Sequence, residues 1–299
     1  MSPFWQTTRF TIDLSRPRVM GIVNVTPDSF SDGGRFVRAG DALAHCEQLV
    51  HEGADILDIG AESSRPGAAS LPLEQELARL LPVVKGALAL GVPVSVDTSK
   101  PEVMQHVLDL GADIINDIRA LRQSGDATHP GAADVVARHP ACGVCLMHMH
   151  GEPQSMQLSP MADDDRGSGD GSVTSQVLLF LKQRTDVLLA LGIENARIVW
   201  DMGIGFGKTA SQNFQLLAEQ GRLLEGGYPL LAGWSRKSAL GGVTGLATGE
   251  RLVPSIAAAV LAVERGARIV RVHDVRETVA ALQVWQAAVI QPSEQGEAG

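Results

Sequence analysis

Only three cysteines occur in this 299-residue chain, and an odd number cannot all pair. Cys142 and Cys145 stand inside the apolar stretch 141–147, where zinc ligation would need two further ligands; with Cys46 they read as core thiols. Also lacking is any run of the roughly 18 uninterrupted apolar residues that a membrane helix needs, so no membrane partner is expected. Residues 1–18 lack a basic region followed by an apolar run, the mark of an export signal, and cytoplasmic residence is the expectation. Positive charge is in deficit as well: 25 Lys and Arg face 34 Asp and Glu, for a net charge of −9. The basic residues do not cluster, which argues against a nucleic-acid partner tracked along its phosphates.

What the chain has is apolar material, 44% hydrophobic against 20% charged, the balance of a globular protein with a large core. It is gathered into eight short runs rich in Val and Ile, at 19–25, 56–59, 92–96, 113–115, 143–147, 197–200, 230–232 and 269–272. Continuous rather than alternating hydrophobicity predicts parallel strands covered on both faces. Helix-like segments fall at 42–52, 73–90, 101–110, 175–191, 211–224 and 255–265. Ser99, three residues before Glu102, predicts a capping box, and Gly53, Gly91, Gly111, Gly192 and Gly266 predict helix C-termini.

Strand then helix, repeated eight times with right-handed crossovers, closes most simply into a single (β/α)8 TIM barrel over residues 18–290; a doubly wound open sheet is the alternative. Residues 1–17 read as an N-terminal extension, 291–299 as a disordered tail, and 151–174 as an extended, mobile loop after the fifth strand. The barrel is favoured by its polar residues. Asn24, Asp58, Asp97, Asn116, His148, Asp201, Ser235 and His273 all lie at or just beyond the C-terminal end of a run, where barrel enzymes build their sites.

Eight motifs occur in order: Asn24-Val-Thr-Pro-Asp-Ser-Phe-Ser-Asp-Gly-Gly34, Glu62-Ser-Ser-Arg-Pro-Gly-Ala68, Asp97-Thr-Ser-Lys-Pro-Glu-Val103, Asn116-Asp117, Met147-His148-Met149, Asp201-Met-Gly-Ile-Gly-Phe-Gly-Lys208, Ser235-Arg-Lys-Ser238 and Arg271-Val-His-Asp274. Together, over residues 18–285, they resemble the signature loops of the dihydropteroate synthases. The resemblance implies a transferase of folate biosynthesis and a sulfonamide target. It condenses 6-hydroxymethyl-7,8-dihydropterin diphosphate with 4-aminobenzoate to 7,8-dihydropteroate and diphosphate, with Mg2+ as cofactor and a homodimer as the assembly.

Chemistry supports the assignment of parts. Asp97, Asn116, Asp201 and Lys237 come from four strand ends and meet only in a barrel mouth. A pterin offers an amino group and a ring N–H to carboxylate and amide acceptors, and a carbonyl and a ring nitrogen to an ammonium. Taken singly, each acid has a plainer reading as the cap of a following helix. Met147 and Phe206 are candidate apolar walls against the flat ring, with core packing as the alternative. For the diphosphate, the resemblance implies a Mg2+ ion held partly by Asn24, with direct contacts from Arg271 and His273, and Arg65 as a further donor. The loops 26–34 and 63–69 are too rich in Gly, Pro and Ser to be regular, and by resemblance they complete the aminobenzoate site with Phe30, Ser64, Pro66 and Ser238. Asp97, Lys237 and Arg271 are the catalytic candidates; the Asp97 charge would favour the pterin cation left when diphosphate departs.

Gly207-Lys208-Thr209 looks like the end of a phosphate-binding Walker loop, but Met202 stands where that loop requires glycine, so ATP binding is not expected. The chain departs from the family pattern at Ser63-Ser64-Arg65 for the usual Ser-Thr-Arg, at Met202 for proline and at His150 for a frequent Gln. Loss of the proline removes a φ restraint beside Asp201. Two other readings stand beside the first. A corrinoid-linked methyltransferase shares the pterin acids, although Ser235 to Ser238 and the 26–34 loop argue against it. A catalytically silent pterin-binding paralogue is left open by sequence alone.

Overall fold

The computed structural model describes residues 3–25, 35–63, 67, 70–126, 128–162 and 170–289. The eight apolar runs form eight parallel strands: β3 (Arg18–Asn24), β4 (Ile56–Gly60), β5 (Val94–Asp97), β6 (Ile114–Asp117), β7 (Gly143–Met147), β8 (Ile198–Asp201), β9 (Leu230–Ala232) and β10 (Ala267–Val272). Neighbours follow chain order, and β10 pairs with β3 to close the ring, so the barrel and not the open sheet is the fold. Around it run α1 (Arg35–His51), α2 (Leu73–Ala87), α3 (Pro101–Asp109), α4 (Ala132–Arg138), α5 (Val173–Ala190), α6 (Ala210–Ala218), α7 (Gln220–Leu223), α8 (Ser238–Thr244), α9 (Leu252–Glu264) and α10 (Val275–Val289).

Side chains alternate across each strand, and this parity decides what the barrel contains. Val19, Val23, Leu57, Ile59, Val94, Val96, Val144, Leu146, Trp200 and Val270 belong to the large core shared with the helices. One residue out of step, Met20, Ile56, Ile114, Cys145, Val199, Leu231 and Ile269 form a separate cluster inside the barrel. Two residues further along the same inward face come Asp58, Asn116, Met147, Asp201 and Arg271. The helix sides of the strands are thus largely apolar, and on most strands the lumen side turns polar toward the C-terminal end.

The segment read as an extension forms the barrel's floor. A hairpin of β1 (Phe4–Gln6) and β2 (Thr11–Asp13) places buried Trp5, Ile12 and Leu14 in the lumen cluster. Trp5 Nε1 donates to the Arg197 carbonyl at 2.9 Å, and Arg9 forms an ion pair with the buried Asp113 at 2.6 Å. The lower lumen is therefore a packed, closed core, and the polar interior lies at the opposite end.

The five helix-ending glycines all adopt positive φ, between 75° and 100°, where other residues are strained. Three expectations need correction. Ser99 does not cap α3: Lys100 is its N-cap residue and Pro101 occupies the first helical position, where a missing N–H costs no hydrogen bond. The helix expected over 211–224 is broken at Glu219, between α6 and α7. The segment 151–174 is not wholly loop, because α5 begins at Val173. Much of the remainder is anchored: Met156 and Met161 are buried, and Met161 N–H donates to the Gly207 carbonyl at 2.8 Å. Residues 163–169 and the expected tail 291–299 lie outside the described residues.

Candidate active site

The polar upper lumen is organised by a carboxylate to which the sequence reading gave no role. Asp58 is fully buried, and its Oδ1 accepts from Ser95 Oγ at 2.6 Å. Its Oδ2 accepts from Asn116 Nδ2 at 3.2 Å and from Arg271 Nε at 2.5 Å. Arg271 Nη2 donates to Asp97 Oδ2 at 2.7 Å, so one guanidinium ties β10 to both β4 and β5 through charge-assisted bonds. Asn116 commits its amide N–H to an acceptor-only group, which leaves its oxygen as the acceptor it can offer a ligand. Gly60, inward on β4, makes room: a Cβ there would lie 3.2 Å from that of Asp97.

Electrostatics in this narrow space are strong. Desolvation pushes Asp97 up to about 7; the Arg271 guanidinium opposes the rise and the Asp58 charge adds to it. Desolvation also raises Asp201, against the Gly203 N–H that donates to its Oδ1 at 2.7 Å and the charges of Lys237, Arg271 and Lys208. Lys237 is lowered to about 8 by desolvation and by Arg271, with Asp201 and Asp97 opposing. Burial works against the Arg271 charge too, but Asp58 and Asp97 outweigh it and raise its pKa above the ordinary value. Two carboxyls and an amine thus titrate near neutrality or away from their usual ranges within one lumen, a pattern typical of sites that do acid–base or charge-stabilising work.

The expected residues fall as follows. Asp97, Asn116, Asp201 and Lys237 share this lumen, joined by the contacts and charges just given. Met147 and Phe206 pack with Met149, Met156 and Ile118 in a small apolar cluster apart from both main cores, and the Lys237 ammonium lies 4.1 Å from the Phe206 ring centroid. His273 Nδ1 is 2.9 Å from Ser235 Oγ, which also accepts from the His273 backbone N–H at 3.1 Å. Ser238 is exposed at the start of α8, directly after Lys237. His148, although at a strand end, is packed edge-on against Phe180 and held well below the usual imidazole range by burial, with the Lys208 charge adding. Phe30, Ser64, Arg65 and Pro66 lie outside the described residues, as does most of the two loops that carry them.

Asn24 ends β3 at the rim of the lumen, half-buried. Among the described residues no group of three or more His, Cys, Asp or Glu is placed to hold a metal ion. A single amide oxygen suits a hard cation that takes its other ligands from water and a diphosphate, the habit of Mg2+ rather than of a metal needing a full protein cage.

Asp58 was named as a strand-end acid but given no role, and Ser95 was missed. The signal was available: Ile56, Asp58 and Gly60 share one parity, so an acid in the middle of an otherwise apolar strand had to point either into the helices or into the lumen.

A family pattern described as pterin binding enzyme matches residues 20–273. The dihydropteroate synthase of Neisseria meningitidis serogroup B is 48% identical over 289 residues, covering 95% of this chain and 96% of that one. The Xanthomonas albilineans dihydropteroate synthase solved with 4-aminobenzoic acid superposes with a TM-score of 0.87 at 47% identity, covering 98% of this chain and all of that one. The same enzyme in complex with 7,8-dihydropteroate gives a TM-score of 0.83 at 44% identity over 97% of this chain and all of that one. Closed barrel, polar lumen and near-full-length similarity agree, and the chain belongs to the pterin-binding enzymes and, among them, to the dihydropteroate synthases.

Proposed function

We propose that the chain condenses 6-hydroxymethyl-7,8-dihydropterin diphosphate with 4-aminobenzoate, giving 7,8-dihydropteroate and diphosphate. The observation that carries the reading is the meeting of Asp97, Asn116, Asp201 and Lys237 in one lumen. Acceptors from three strands face a donor from the β9–α8 connection, the complement of a pterin's polar edge. Asp201 and the Asn116 oxygen receive the amino group and ring N–H. Lys237 donates to the pterin carbonyl and ring nitrogen, and Met147 and Phe206 cover the ring.

In the reaction the bond from the pterin methylene to diphosphate breaks, both electrons leaving with diphosphate. The aminobenzoate nitrogen forms the new C–N bond with its lone pair and then loses a proton. Asp97, ionised, favours the pterin cation electrostatically, and Arg271 holds its carboxylate in place. His273, two residues beyond Arg271 and just past the end of β10, is assigned to the diphosphate. Asn24 would hold Mg2+, whose charge eases departure of that group. Phe30, Ser64, Arg65, Pro66 and Ser238 are assigned to aminobenzoate and diphosphate by family resemblance.

The assembly in this reading is a homodimer; exposed Val243, Val253 and Val284 on the adjoining helices α8, α9 and α10 support it, and light scattering on the purified chain tests it. Cytoplasmic residence fits three free, buried cysteines and the absence, among the described residues, of any helix long and apolar enough to cross a membrane. Purified protein given both substrates and Mg2+ should release dihydropteroate and diphosphate in equal amounts. Folded protein that releases neither is the silent paralogue, and the proposal then fails.

A further inference from the structure

Lys208 closes the stretch that imitates a Walker loop, and the structure gives it a different task. The side chain is buried, and its Nζ donates to the backbone oxygens of Gly203 at 2.8 Å, His148 at 3.2 Å and Phe206 at 3.2 Å. Three carbonyl acceptors suit the protonated form, and an ammonium has three N–H donors and no acceptor, so in that form its hydrogen-bonding capacity is fully used inside the protein. None remains for a phosphate.

The cage exists because the β8–α6 connection lies hard against the chain leaving β7. Gly203, Gly205 and Gly207 have φ of +69°, +82° and +68°. A Cβ on Gly203 would lie 1.8 Å from the His148 oxygen, and one on Gly207 2.1 Å from the His150 oxygen. The backbone that results turns the His148, Gly203 and Phe206 oxygens toward Lys208. Those of Gly203 and Phe206 also accept from the backbone N–H groups of Phe206 at 3.1 Å and His150 at 3.5 Å, while the His148 oxygen takes its hydrogen bond from Lys208. An unpaired buried oxygen costs about 1–3 kcal/mol in general. The same connection carries the Gly203 N–H that fixes Asp201, and Phe206, whose ring lies under Lys237. Asn213 locks its other side, accepting from Gly205 N–H at 2.7 Å and donating to the Thr209 oxygen at 2.7 Å.

We propose that Lys208 is a positioning residue for the pterin pocket: by joining the end of β7 to the 203–206 backbone it sets Asp201 and Phe206 without touching substrate. This rests on the pterin reading above. Aliphatic side chains of similar length fill the same space but supply no donors, so what Lys208 adds is the placement of three carbonyls, and through them the placement of an acid and a ring. Burial lowers Lys208 to about 7, with the nearby Lys237 charge adding and the Asp201 charge opposing the fall.

The test uses the full-length chain with Lys208→Met and Lys208→Gln. Calorimetry with a phosphate-free pterin and steady-state kinetics with both substrates are compared with wild type. In Lys208→Met the pterin affinity should fall, and the KM for the pterin diphosphate should rise, by about tenfold or more, the scale of losing a supporting partner one step from the ligand. The KM for 4-aminobenzoate should stay within about twofold, since a residue one step behind the pterin has little leverage on the other substrate. Lys208→Gln keeps an amide that reaches part of the cage and should recover part of the loss; it decides the matter by the same comparison if the Met variant does not fold. A residue needed only for stability would lower the melting temperature and the active fraction while leaving both KM values and the pterin affinity unchanged, and that result overturns the inference. Wild-type protein that binds no pterin overturns the pterin reading itself, and the inference with it.

Discussion

Replacing Asp97 by Asn separates charge from shape at the centre of the proposed chemistry. The amide keeps an oxygen that can accept from Arg271, and Arg271 keeps its second anchor in buried Asp58, so the barrel should fold normally. What disappears is a negative charge facing the cation that forms as diphosphate leaves. At a separation of about 4 Å and an effective dielectric of about 20, one such charge pair is worth about 4 kcal/mol, or roughly a thousandfold in rate. Arg271 already neutralises part of the charge, so a loss of about a hundred- to a thousandfold in kcat is the expectation. The pH profile gives a second signature. Asp97 loses its proton as pH rises through about 7, and Lys237 loses its charge as pH rises through about 8, so kcat/KM should rise and then fall across a narrow bell. The amide that replaces the carboxyl in Asp97→Asn cannot titrate, and the acid limb should flatten. Stability moves independently of activity. A carboxyl held near 7 in the fold, against roughly 4 when unfolded, binds its proton more tightly in the native state, so its contribution declines as pH rises from about 4 to 7. The variant should therefore melt no lower than wild type at about pH 8 while having lost its turnover. Near-normal turnover, or an unchanged acid limb, would refute the assignment.

His273→Ala should weaken binding of diphosphate-bearing pterin more than of phosphate-free pterin, with little change in melting temperature; equal losses by calorimetry would assign it to general pocket support. Arg271→Ala should show the same ligand preference but also destabilise the fold by about 3–5 kcal/mol, because fully buried Asp58 loses its counter-ion, and denaturant unfolding measures this. Trp5→Ala removes the largest side chain of the barrel floor and should cost about 3–5 kcal/mol in unfolding free energy while leaving both KM values close to wild type. Gly203→Ala, with its Cβ driven onto the His148 oxygen at positive φ, should raise the KM for the pterin substrate before it affects that for 4-aminobenzoate, as separate substrate titrations would reveal.

Much of this molecule is legible in one dimension because its strands are buried on both faces. Runs such as 143–147 and 198–201 are short and mostly apolar, and a strand shielded by helices on one side and a packed lumen on the other needs little else. The helix ends were readable for a similarly local reason: a left-handed residue after the last turn favours glycine whatever surrounds it, as at Gly53 and Gly111. Placing polar residues at strand ends was enough to bring Asp97, Asn116, Asp201 and Lys237 together, since a closed parallel barrel has one end at which all its strands finish.

Contacts between segments remote in sequence were decided only in three dimensions. Asp58 and Arg271 are 213 residues apart, and nothing local says that the acid inside β4 is the anchor of the arginine on β10; closure of β10 onto β3 and the parity of each strand put both in the lumen. The floor was hidden because Phe4–Gln6 and Thr11–Asp13 are three-residue strands, too short for any periodicity to register, and they gain their place by covering an apolar opening that exists only once the barrel has closed. Lys208 gave a misleading local signal for the same reason. Its partners are backbone oxygens, which every sequence possesses, and only the close approach of two loops turns three of them toward one ammonium. Local preference marks the barrel strands and many helix ends, whereas a buried polar network depends on which atoms the closed fold brings together away from solvent, and that is a property of the assembled barrel.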